Sequence, residues 1–101
     1  MIPGVNEKEQ KIIESILTKY RDKYSFFYYG SRAKGDFSKP SDLDLLVKGQ
    51  DEMPIEIFAQ LRREFDESWL PFVTDLHDFH RMTERFYQLI EPTLVDVFEA
   101  K

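Results

Sequence analysis

The sequence predicts an α/β or α+β architecture, a small sheet covered by helices, on three observations. Segments with apolar residues at helical spacing alternate with short apolar or aromatic runs suited to strands. Glycine, proline and serine punctuate these segments closely. The chain has 101 residues, 42% of them hydrophobic, enough for one modest core; a second would leave neither half the apolar surface to hold itself together. We therefore expect a single domain over 1–101, with no repeat, low-complexity tract or linker.

After "MIPGV", Asn6 is placed to cap a helix with Glu9 three residues on, and Ile12, Ile13, Ile16, Leu17 and Tyr20 recur on one face, predicting a helix over about 7–21. "YSFFYYG" (24–30) is short, aromatic and stopped by glycine, as a buried strand would be. "SRAKGD" leaves room for about one helical turn, and "FSKPS" has the serine and proline of a loop. "DLDLLV" (42–47) alternates acid and leucine before turning apolar, the pattern of a strand emerging at an edge of the core, and "KGQDEM" breaks it. Pro54 suits the first turn of a second long helix, with Ile57, Phe58, Leu61 and Phe65 on one face and Arg62, Arg63, Glu64 and Glu67 largely outside it. A third strand fits "PFVTDLHDF" (71–79), and a last helix fits "TERFYQLIE" (83–91), ended by Pro92. The tail "TLVDVFEA" reads equally as a short strand or a helical turn. The order is α-β-α-β-α-β-α.

Nineteen acidic against fourteen basic side chains give a net charge of −5, which argues against general attraction to a polyanion and so against nucleic acid as partner. A local basic spot remains at Arg32, Lys34 and Lys39. Without cysteine there is neither a disulfide framework nor a thiolate zinc site. The first residues lack the basic-then-apolar order of a secretion signal, and no apolar stretch is long enough to cross a bilayer, so the expected setting is the cytoplasm, away from membrane.

Chemistry concentrates in "YYGSRAKGDFSKPSDLDLLV". Side chains alternate across a strand, so Asp42 and Asp44 project from one face while Leu43 and Leu45 enter the core on the other. Two carboxylates so placed form a hard oxygen site for Mg²⁺ or Mn²⁺, whose remaining positions water and substrate phosphate fill. Read blandly, they are a solvated strand end. Gly30 and Ser31, at the end of a strand and the start of a helical turn, offer backbone N–H groups and a hydroxyl where a phosphate can come close; read blandly, they turn the chain and cap a helix. Asp75 in "FVTDL" is a third carboxylate, unusual within a strand. By parity it shares a face with Val73 and His77, whereas Asp78 has opposite parity and is expected in the following loop.

Gly30-Ser31, then Asp42-x-Asp44, then Asp75 resembles the nucleotidyltransferase superfamily that includes DNA polymerase β, and in particular its minimal branch, whose members are commonly antitoxins paired with a small helical HEPN toxin. The resemblance implies a small mixed sheet flanked by helices. It implies that Asp42, Asp44 and Asp75 are catalytic and hold Mg²⁺ or Mn²⁺, with Asp75 helping to deprotonate the attacking hydroxyl. Gly30 and Ser31, with Arg32 beside them, would bind the nucleotide, ATP as substrate. AMP would pass to a hydroxyl of a partner protein, a tyrosine of the HEPN toxin. An oligomer is compatible with this reading. The rival is a non-catalytic antitoxin that neutralises its partner by contact alone, its nucleotide site vestigial.

Other residues carry less. Arg32 and Lys34 read most simply as solvated cations. His77 and His80, near Asp78, lack a further histidine or any cysteine to complete a zinc site. "FFYY" reads as core on one side and half-exposed on the other, and Trp69 suits either core or a partner surface.

Overall fold

The computed structural model describes residues 1–35 and 42–98. The loop expected at "FSKPS", with Lys39, lies outside them. Among the described residues four strands make one mixed sheet in the order β3-β2-β1-β4.

Helix α1 (Glu7–Thr18) starts as expected: the Asn6 side chain accepts from Glu9 N, and the Glu9 carboxylate accepts from Asn6 N, a reciprocal capping box. It ends three residues sooner than the apolar spacing suggests. The chain tightens into a turn in which Tyr20 O accepts from Tyr24 N, and this leads straight into β1 (Tyr24–Tyr29). Tyr20, predicted on the helical face, packs against the core from that turn.

Helix α2 (Ser31–Lys34) is one turn, and β2 (Leu43–Gly49) returns antiparallel to β1 with Tyr29 opposite Asp44 and Phe27 opposite Leu46. Helix α3 (Ile55–Asp66) crosses back so that β3 (Thr74–Asp78) runs parallel to β2, Leu43 beside Thr74 and Asp44 beside Asp75. The hydrogen bond from Leu43 N to Val73 O, 2.9 Å, holds this register at the entry to the ladder. Helix α4 (Glu84–Ile90) is capped by Thr83, whose Oγ1 accepts from Phe86 N. The ambiguous tail resolves as a strand, β4 (Val95–Asp96), antiparallel to β1.

The pleat sorts side chains onto two faces. Phe26, Tyr28, Leu43, Leu45, Val47 and Leu76 point to one side, where Ile13, Ile16 and Leu17 of α1 and Leu61 and Phe65 of α3 cover them. On the other, Leu46 and Tyr29 pack with Ile90 of α4 and with Phe27, Phe79, Met82, Tyr87 and Leu94. Asp44, Asp75 and His77 share this second face by the same alternation. No described helix is long and apolar enough to cross a membrane.

Two expectations fail here. Asp78 is the last residue of β3, not part of a loop, and is 4% exposed. Its Oδ2 accepts from Met53 N at 2.8 Å, its Oδ1 accepts from His80 N at 2.9 Å, and Arg81 Nη1 lies 3.2 Å away. It ties β3 to the segment before α3 and to the 3₁₀ turn Phe79–Arg81. Arg32 is not a solvated cation either: it is 1% exposed, donates from Nη1 to Pro3 O at 2.9 Å, and stands over the Phe72 ring at 4.5 Å. A guanidinium can be buried this way because its planar faces stack on rings while its edge donates.

Candidate active site

At the junction of β1 and α2 the chain adopts φ +80°, ψ −147° at Gly30, a conformation that side chains of L-residues rarely tolerate. Space demands glycine as well. A β-carbon there would lie 2.5 Å from Asp44 Oδ2 and 3.4 Å from the Asp44 carboxyl carbon. The main chain of the Gly-Ser turn therefore runs directly against the Asp44 carboxylate, and the two halves of the motif meet, Gly30 and Asp44 being fourteen residues apart in sequence.

The parallel register puts Asp75 on the strand next to Asp44 and on the same face. Burial raises the pKa of the Asp44 carboxyl, the neighbouring Asp75 raises it further, His77 acts in the opposite direction, and Asp42 adds a smaller upward push. Tyr29, opposite Asp44 on β1, has its phenol pKa driven up by burial first, then by Asp44 and Asp75. Crowded negative charge on a half-buried face is an arrangement that a cation relieves.

Asp42 sits differently. It precedes the first residue of β2 and is exposed, so it belongs to the approach to the strand and not to the ladder with Asp44. Among the described residues no three acidic or histidine side chains already converge tightly enough to enclose a metal ion. The donor chemistry nonetheless fits Mg²⁺ or Mn²⁺: carboxylate oxygens from adjacent strands, partly desolvated, with open positions that phosphate oxygens and water would take. Asp42, Asp44 and Asp75 are the residues that would hold such an ion. Ser31 opens α2 beside Gly30, half-exposed, whereas the Arg32 side chain is engaged with Pro3 and Phe72 inside the molecule.

Three residues that the sequence left without a role complete the neighbourhood. His77 Nε2 lies 3.2 Å from Asp75 Oδ2. Its ring packs against Tyr29 (centroids 6.3 Å apart) and Phe86 of α4 (6.2 Å), which also meet each other edge-on at 6.3 Å. The shared parity of Asp75 and His77 was the available signal; Phe86 reaches the site by tertiary packing, for which the sequence carries no mark. His80 turns elsewhere, its Nε2 2.8 Å from Gly49 O. Trp69 is 92% exposed and outside the core.

Comparison with known proteins places the chain in a family. The family model described as "Nucleotidyltransferase domain" matches residues 9–99. A Haemophilus influenzae protein described as a probable protein adenylyltransferase, MntA, is 32% identical over 97 residues, covering 96% of this chain and 85% of that one. Two solved structures share the fold. One, described as a toxin-antitoxin crystal structure with AMP-PNP, superposes with TM-score 0.71 at 19% identity over 91% of this chain and 74% of the other. The second, from Sulfolobus solfataricus and provisionally assigned as a nucleotidyltransferase, has TM-score 0.51 at 22% identity over 86% of this chain and 73% of the other. By sequence and by fold the chain belongs to the nucleotidyltransferase domain family, as an enzyme of the minimal nucleotidyltransferase type.

Proposed function

We propose that the protein is a metal-dependent adenylyltransferase that moves AMP from ATP to a hydroxyl of a partner protein and acts as an antitoxin by doing so. The observation that carries the reading is the contact of the Gly30 main chain with the Asp44 carboxylate, with Asp75 in register alongside. A phosphate cradle and a carboxylate pair have little reason to share a few ångströms unless one substrate spans both. The MntA relative, described as a protein adenylyltransferase, supports AMP and a protein acceptor, and the neighbour described as a toxin-antitoxin with AMP-PNP supports a toxin as that acceptor and an adenine nucleotide as donor. A tyrosine of a HEPN toxin as the acceptor follows from the resemblance to the minimal branch.

In this reading the backbone N–H groups around Gly30 and Ser31 hold the β and γ phosphates, and Asp42 and Asp44 face the triphosphate. A divalent cation held by the carboxylates would neutralise the phosphate charge that these residues alone repel. Asp75 accepts the proton of the acceptor hydroxyl as its oxygen bonds to the α-phosphorus; the bond from that phosphorus to the β-phosphate oxygen breaks, and pyrophosphate leaves. Such a transfer asks the protein for positioning and charge placement rather than covalent chemistry. The test is incubation with each labelled nucleoside triphosphate, Mg²⁺ and the product of the adjacent gene, followed by intact mass. Addition of AMP to that product supports the reading; tight complex formation without added mass, at any nucleotide, overturns it in favour of an antitoxin that acts by contact.

A further inference from the structure

We propose that His77 is a positioning residue for Asp75, held in place by Tyr29 and Phe86, so that the carboxylate meets the acceptor hydroxyl in one orientation. The inference rests on the transferase reading above and assigns a part of its site that the motif does not contain.

Asp75 projects from an edge strand and its side chain is 45% exposed, so packing alone does not choose its rotamer. Asp44, its neighbour on β2, repels it. The one polar side-chain contact of Asp75 among the described residues is His77 Nε2 on Oδ2, and it leaves Oδ1 unengaged by any of their side chains. His77 stands two residues on along the same strand, on the same face, its side chain 39% exposed and its ring packed on one side against Tyr29 of β1, 5% exposed, and Phe86 of α4. Three elements therefore converge on one imidazole whose only polar side-chain contact among the described residues is the candidate base. A histidine recruited for packing would not need its nitrogen there, and one placed for solubility would not join a cluster with two other rings. Groups that orient a reacting carboxylate are commonly worth ten- to hundredfold in activity when lost.

The experiment is a double-mutant cycle with a conservative rescue, on the full chain and its protein acceptor. His77→Leu should lower kcat by roughly ten- to hundredfold with KM for ATP nearly unchanged. His77→Gln, whose Nε2 is as many bonds from Cα as that of histidine, should recover most of the loss. In an Asp75→Asn background His77→Leu should cost little more, since the group it orients is already gone. Melting temperatures identify any variant that acts through the fold. A His77→Leu enzyme with parental kcat, a His77→Gln enzyme no better than His77→Leu, or fully additive losses would each overturn the proposal; so would a rise in activity, which would mean that the contact competes with substrate. If the parent transfers nothing, the transferase reading fails by itself. The pairing is then read from the ¹⁵N spectrum of His77 at a fixed alkaline pH: a population protonated on Nε2 that falls in Asp75→Ala supports the pairing, and an unchanged tautomer ratio refutes it.

Discussion

The two faces of the sheet are built from the same strands and do different work. One is apolar through its middle, with Leu43, Leu45, Val47, Phe26 and Leu76 sealed under α1 and α3. The other is apolar only toward Leu46 and Phe27, where Ile90 and Leu94 lie on it, and at the end nearest Gly30 it carries Asp44, Asp75 and His77. A residue's parity decides which fate it meets. The contrast is sharpest within β3, where Asp78 on the first face is buried with both carboxylate oxygens hydrogen-bonded and Arg81 alongside, while Asp75 on the second is half-exposed with a single imidazole contact. The aspartate with many partners is structural, and the one with few is available for chemistry.

That contrast breaks most visibly by exchanging the roles of the two aspartates. Asp75→Asn should fold normally and bind nucleotide but transfer it roughly 10²- to 10⁴-fold more slowly, the scale for loss of a general base. Asp78→Asn should transfer normally per folded molecule and melt lower, losing about 1–3 kcal/mol because the buried Met53 N and the partly exposed Arg81 lose a carboxylate. Separate assays of binding, transfer and thermal melting distinguish the two, and an active Asp75→Asn beside an inactive Asp78→Asn would reverse the assignment.

Next in size, Gly30→Val should reduce transfer by roughly 10²-fold, the cost of about 1 Å of misplacement, because its Cβ must displace Asp44 and its backbone cannot hold φ +80° without strain. Steady-state kinetics that showed full activity would move the phosphate cradle elsewhere.

A smaller effect sharpens the electrostatics. Folding raises the Asp44 pKa, so the folded protein binds that proton more tightly than the unfolded chain, and ionisation of Asp44 opposes folding. Without metal, its contribution to stability should fall as pH rises from the ordinary carboxylate range through the raised pKa of Asp44. Asp44→Asn should remove that part of the pH dependence and be the more stable protein at neutral pH. Melts across the acidic range check this, and parallel curves for parent and variant would show that the carboxylates do not crowd. The smallest expected change is Ser31→Ala, a few-fold loss of transfer, about 1 kcal/mol for one hydroxyl while the backbone N–H groups remain. A loss as large as that of Asp75→Asn would make the hydroxyl, not the main chain, the principal phosphate contact.

Local rules carried much of this structure. The capping box at Asn6, the glycine stop after Tyr29, the helical start at Pro54 and the parity of Asp75 against Asp78 are all short-range properties, set by backbone sterics and side-chain alternation, so they are legible one residue at a time. Residue type and spacing, with the resemblance to the nucleotidyltransferase superfamily, brought Gly30, Ser31, Asp42, Asp44 and Asp75 forward as one candidate constellation. What required the folded molecule were the choices made by packing between distant segments. Strand direction followed from the α3 crossover, which sets Asp44 beside Asp75. Arg32 went inside because Pro3 and Phe72, each about thirty or forty residues away, supply an acceptor and a ring. Asp78 became a tie because Met53 and Arg81 arrive there, and His77 gained a role because Tyr29 and Phe86 close around it. Period and capping are encoded within a few residues of chain; the fate of a polar side chain depends on which partners the whole fold brings within about 3 Å of it, and no local pattern contains that information.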